Sequence, residues 1–134
     1  MLKKLYIIFF ILISFDSLAV EKKTNFTLEK FTEANKSGKT IVINSWNKYC
    51  GTCAKQVKIL KEAEKDFPNA LFLYYEQNKN EEIAKLLNVK YWATIIIYKK
   101  SKEVAKEIGV TSKNDIYSLI KKEIWCIIFS LEYA

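Results

Sequence analysis

Apolar and polar positions fall into short blocks along this chain, and the spacing within the blocks switches between helical and strand periods. Thr27 suits a helix N-cap, with Phe26 before it and Phe31 at the fourth helical position as a hydrophobic staple, and that helix is expected to end near Gly38. The run Thr40-Ile41-Val42-Ile43-Asn44-Ser45 predicts a buried strand over 40–46. From Ala54 to Phe67 the residues Val57, Leu60, Ala63 and Phe67 share one helical face. Pro68-Asn69 marks a turn, and Ala-Leu-Phe-Leu-Tyr-Tyr-Glu over 70–76 reads as a second buried strand. Asn80 is placed to cap a short helix through Asn88 that turns Ile83, Leu86 and Leu87 inward. Thr94 to Lys99 and Glu103 to Ile108 predict an antiparallel pair joined by Lys100-Ser101-Lys102. Ser112, with Asp115 three residues on, starts a last helix. Strand, helix, strand, then hairpin and helix make a single α/β domain: a central mixed sheet with helices on both faces.

The two ends of the chain break this pattern. Lys3 and Lys4 precede an apolar run from Leu5 to Phe15, and Asp16-Ser17-Leu18-Ala19 follows with small residues. A membrane span needs about 20 apolar residues, so residues 1–19 read as a secretory signal peptide and the mature protein is expected to begin near Val20. An uncleaved leader would instead act as a membrane anchor. At the other end, Ile124-Trp125-Cys126-Ile127-Ile128-Phe129 is too short to span a bilayer. Residues 124–134 read as an apolar extension of the last helix, with Cys126 a small buried hydrophobe. Residues 20–123 are left as the folded domain, with no stable membrane span in the mature chain. The formal net charge of +7 comes from lysine alone, with no arginine, and the lysines scatter along the chain. Nucleic-acid recognition draws on arginine forks, so no nucleic-acid partner is expected, and the charge reads as a solvated basic surface.

The chemistry concentrates in Cys50-Gly51-Thr52-Cys53. At a strand-to-helix junction the first sulfur sits where unpaired backbone N–H groups and the helix dipole favour a thiolate. The second, three residues on, is close enough to close a disulfide. Zinc, haem and soft-metal sites also use this spacing, but the chain contains no histidine and residue 54 is Ala, which excludes haem attachment and histidine-assisted catalysis. Three cysteines cannot make a four-thiolate zinc site. A purely structural disulfide gains little from closing so small a loop, and exchange chemistry is therefore the expected use of the pair. Trp46 and Tyr49 flank the motif, where they either pack or share in docking; Lys48 and Lys55 either favour a thiolate at Cys50 or are simply two more lysines of a lysine-rich chain.

Trp46 followed after three residues by Cys50-Gly51-Thr52-Cys53, the block Val89-Lys90-Tyr91-Trp92-Ala93-Thr94 with the strand after it, and Gly109 resemble the thioredoxin family over residues 26–123. The resemblance implies a thioredoxin-like fold and a thiol–disulfide oxidoreductase with catalytic Cys50 and Cys53. It also implies protein substrates with thiols or disulfides, docked near Trp46, Tyr49, Trp92, Ala93 and Thr94, and a redox partner that resets the dithiol. No cofactor and no metal ion are implied. Two positions depart from the family. Ala93 stands where the family has a cis-proline; without proline a cis bond costs about 3 kcal/mol, so the Trp92–Ala93 peptide is expected to be trans, and restoring proline is expected to alter function more than fold. Asn44 replaces a buried carboxylate and cannot take up a proton from Cys53. With the leader, the reading is of a periplasmic or secreted oxidoreductase. The alternative is a non-catalytic protein that holds a client, or a soft ion such as Cu(I), through the same dithiol.

Overall fold

The computed structural model describes residues 24–121. The leader over 1–19, the start near Val20, Cys126 and the extension over 124–134 lie outside the described residues. The first helix, α1 (Leu28–Lys36), starts as its sequence requires: the Thr27 hydroxyl accepts the Lys30 N–H at 3.2 Å, and the rings of Phe26 and Phe31 stack 5.5 Å apart. It ends at Gly38, whose φ of +70° is the left-handed conformation that closes a helix. The strand β1 (Ile41–Trp46) follows, then α2 (Gly51–Asp66), β2 (Leu71–Glu76), a short 3₁₀ turn (Gln77–Lys79), α3 (Glu81–Leu86), β3 (Thr94–Lys99) and β4 (Lys102–Ile108). A last helix, α4, occupies 113–121, and its Asp115 N–H reaches the Ser112 hydroxyl.

The strands form one sheet in the order β2-β1-β3-β4. β1 pairs parallel with β2 and antiparallel with β3, placing Ser45 opposite both Tyr75 and Thr94. Alternation along the strands divides the core in two. Val42, Phe72, Ile95 and Ile97 meet Val57, Leu60 and Ala63 of α2 and Ile116 and Ile120 of α4. On the opposite face Ile41, Ile43, Leu73, Tyr75 and Ile96 meet Ala34 of α1, Ala84 of α3 and Leu87 just after it. This is the mixed sheet with helices on both faces that the patterning predicts.

The structure corrects four details. α2 begins at Gly51, ahead of the predicted Ala54, because Cys50 itself caps it. Asn80 occupies the predicted cap position, but its side chain donates to the Glu76 carbonyl at 2.8 Å instead of capping α3. That helix is less than two turns long, and Leu87 and Ala84 reach the core while Leu86 is left exposed. The β3–β4 turn is also tighter than expected: Lys100 and Ser101 both take positive φ, as a two-residue hairpin turn requires, and β4 begins at Lys102.

Among the described residues the outer edge of β2 is covered by side chains that precede α1. The Asn25 side chain donates to the Phe72 carbonyl and accepts the Tyr74 N–H at 2.7 Å, while Thr24 accepts the Glu76 N–H. One amide thus supplies the donor and acceptor that a neighbouring strand would offer an exposed edge. Among the described residues no helix is long and apolar enough to cross a membrane.

Candidate active site

Cys50 and Cys53 form a disulfide at the carboxyl end of the sheet, their Cα atoms 5.2 Å apart. The connection from β1 is a tight turn in which the Cys50 N–H donates to the Asn47 carbonyl and the Asn47 side chain accepts the Tyr49 N–H. Cys50 is the N-cap of α2, and its sulfur accepts the Cys53 N–H at 3.0 Å. In the reduced protein that N–H and the positive end of the helix favour a thiolate at Cys50. Cys53 is fully buried and Cys50 half-buried.

The turn at Ala93 faces this end of the sheet, since β3 begins beside the last residues of β1. The Trp92–Ala93 peptide is trans, for the described chain contains no cis bond. Ala93 takes φ +57°, a left-handed conformation that costs a residue with a Cβ about 1 kcal/mol. Three bonds hold it there. Its N–H donates to the Ser45 carbonyl at 2.9 Å, and its carbonyl accepts from the Gly109 N–H at 2.8 Å and from the Gln56 side chain at 3.0 Å. Ser45 also donates its hydroxyl to the Tyr91 carbonyl at 3.1 Å and accepts the Thr94 N–H, while the Thr94 hydroxyl donates to the same Tyr91 carbonyl at 2.6 Å. The backbone groups of Ala93 are therefore engaged inside the protein.

This geometry revises the expectation for proline at position 93. Proline fixes φ near −65° and has no N–H. Both the left-handed conformation and the bond to Ser45 would be lost, so the substitution strikes the fold before it reaches the chemistry.

The five expected docking residues divide into rim and floor. Tyr49 is 84% exposed and Trp92 47%, whereas Trp46, Ala93 and Thr94 are buried. Trp46, Ala93 and Cys53 lie in one packed cluster against which Cys50 rests. Tyr91, at 62% exposed, joins the rim although the sequence reading did not single it out. The Lys48 ammonium lies 4.7 Å above the Tyr49 ring.

Sequence reasoning also missed Gln56. It lies on the inward face of α2 with Cys53, Val57, Leu60 and Ala63, with no exposed surface. Its Oε1 accepts from Asn44 Nδ2 at 2.9 Å, and its Nε2 donates to the carbonyls of Ala93 and Val110. The available signal was an amide at a position where the helical period demands an apolar residue.

The family model for thioredoxin matches residues 19–122. The chain belongs to the thioredoxin family. A thioredoxin H-type from Oryza sativa subsp. indica is 29% identical over 80% of this chain and 86% of its own length; another from Fagopyrum esculentum is 31% identical over 60% and 70%. Among solved structures, Fasciola hepatica thioredoxin superposes with a TM-score of 0.64 at 27% identity, over 71% of this chain and 89% of its own. Trxlp from Edwardsiella tarda superposes with a TM-score of 0.68 at 20% identity, covering 71% and 94%, a likeness of fold. The protein is a thioredoxin-like thiol–disulfide oxidoreductase with a close cysteine pair. Thioredoxin family members act on protein disulfides and are reset by reductases.

Proposed function

We propose that this thioredoxin family member exchanges disulfides with protein substrates outside the cytoplasm, with Cys50 as nucleophile and Cys53 as resolving thiol. The observation that carries the reading is the unequal burial of the two sulfurs at the head of α2, with Cys50 half-buried and Cys53 enclosed. In the reducing direction the Cys50 thiolate attacks a client disulfide, forming a mixed disulfide and releasing one client thiolate. Cys53, having lost its proton, attacks the Cys50 sulfur; the Cys50–Cys53 disulfide forms and the second client thiolate leaves. Two electrons pass to the client, and a redox partner returns them to the dithiol. Asn44 does not titrate, so the Cys53 proton leaves to solvent or to the departing thiolate. The exposed rings of Tyr49, Tyr91 and Trp92 supply the apolar rim on which a client segment rests. Export rests on the apolar leader over residues 5–15 and the small residues after it.

Replacing Cys53 by Ser should trap mixed disulfides between Cys50 and client proteins, readable as reductant-sensitive adducts, and replacing Cys50 by Ser should abolish them. Equal trapping by both variants, or by neither, would remove the mechanism. Stoichiometric Cu(I) uptake by the reduced protein, without turnover of any protein disulfide, would favour the metal-holding alternative. Recovery of an intact Met1 on a membrane-bound product would show that the leader acts as an anchor.

A further inference from the structure

Tyr91 and Trp92 of the rim and the disulfide are carried by different segments, and one buried amide joins them. We propose that Gln56 is a positioning residue for disulfide exchange: with Asn44 it fixes the 91–94 turn to the helix that bears the disulfide, and so sets how a client docks against Cys50. The inference deepens the exchange function proposed above and rests on it.

Gln56 stands one helical turn beyond Cys53, so whatever it holds is held to the same rigid element as the disulfide. Both of its N–H groups are engaged, at 3.0 Å to the Ala93 carbonyl and 2.9 Å to the Val110 carbonyl, and its oxygen accepts from Asn44 at 2.9 Å. The two carbonyls belong to different loops, one before β3 and one after β4. Asn44 extends the link into the sheet, reaching the Thr94 carbonyl at 3.4 Å.

Stability alone does not call for this arrangement. An apolar residue of similar volume would complete the stripe of Val57, Leu60 and Ala63, and a buried amide that is fully bonded gains little over such packing. What a hydrogen-bonded amide adds is direction. Direction is what Ala93 needs, because a left-handed alanine persists only where its surroundings over-determine it. The next residue outward, Trp92, is with Tyr91 one of the two exposed aromatics of that turn. How Trp92 is presented follows from how firmly its neighbour Ala93 is held.

The test uses the full-length protein with Gln56→Met, which keeps the volume and removes every hydrogen bond. Three quantities are compared with wild type: KM and kcat for insulin reduction driven by dithiothreitol, the rate of reaction with the small disulfide DTNB, and hydrogen exchange at the Ala93 amide. We expect KM for insulin to rise about tenfold with kcat and the DTNB rate little changed, and Ala93 amide exchange to accelerate about tenfold or more. Unchanged KM with unchanged Ala93 protection overturns the proposal. Equal losses on insulin and DTNB also overturn it, since a merely structural role would damage both. Asn44→Ala removes the anchor on the Gln56 oxygen and the longer bond to the Thr94 carbonyl while leaving both Gln56 donors in place; it should shift the same quantities by less, and it decides the matter if Gln56→Met does not fold. A wild-type protein inert toward insulin would defeat the exchange function instead, while the Ala93 exchange rates still show whether Gln56 holds the turn.

Discussion

All six residues of β1 are buried, yet apart from Trp46, which joins the apolar cluster beside Cys53, its two halves are held in opposite ways. Ile41, Val42 and Ile43 have at most 1% of their surface exposed and bury it in apolar contacts with the helices on both faces. Asn44 and Ser45 are fully buried and engaged in hydrogen bonds to Gln56, Tyr91 and Thr94. Burial is the same; what differs is whether the contact has a direction. Apolar packing stabilises without naming a partner, whereas a buried amide or hydroxyl tolerates few geometries. The amino half of the strand therefore holds the domain together, and the carboxyl half holds particular loops against a particular disulfide.

The sharpest way to break this division is at Ile43. Truncation of a fully buried Ile to Ala costs about 2–5 kcal/mol, and Ile43 packs among Ile41, Leu73, Tyr75 and Ile96 on the face away from the disulfide. Chemical denaturation of Ile43→Ala should show a loss within that range. The insulin-reduction rate per folded molecule should stay at the wild-type value. A proportionate loss of exchange activity would mean that the two halves of β1 are coupled.

Ala93→Pro attacks the other half, through the partner of the Ser45 carbonyl. It removes the 2.9 Å bond and forces φ away from +57°. Together these should cost about 2–3 kcal/mol, and exchange with insulin should fall with them. Wild-type stability in Ala93→Pro would show that the turn has a second conformation of nearly equal energy and that its bonds do not define it.

The same contrast explains what was legible in the sequence. The Ile41–Ile43 run, the isoleucines of β3 and the α2 stripe announce themselves by period, because apolar contacts average over many partners and leave a repeating pattern. The dithiol was equally plain, since few chemistries use that spacing in a chain without histidine. Gln56 was not, for its role depends on three partners 12, 37 and 54 residues away in sequence. Neither were the hydrogen bonds of Ser45 and Asn25, which come from side chains whose sequence neighbours say nothing of the distant backbone they meet. Leu86 was misplaced because α3 is too short for helical spacing to choose between adjacent leucines. Ala93 was recognised as a departure from the family, but a positive φ at alanine has no local signature.

The smallest effect, and the finest test of the comparison, is Ala93→Gly. A left-handed conformation costs alanine about 1 kcal/mol, and glycine adopts it freely. Against that, glycine loosens the unfolded chain by about 0.4–1 kcal/mol. The net change in stability should be a gain of no more than about 0.6 kcal/mol. None of the three bonds at Ala93 is lost, since all are made by its backbone. The turn, however, no longer has a side chain restricting it to one basin, so Trp92 should be held less firmly and KM for insulin should rise about two- to threefold. Stability and docking would then move in opposite directions, a result that apolar packing cannot produce: in Ile43→Ala the fold weakens while docking stands. A glycine variant that loses stability would show that the left-handed alanine is not strained in solution. One that gains stability with unchanged KM would show that the hydrogen bonds alone hold the turn.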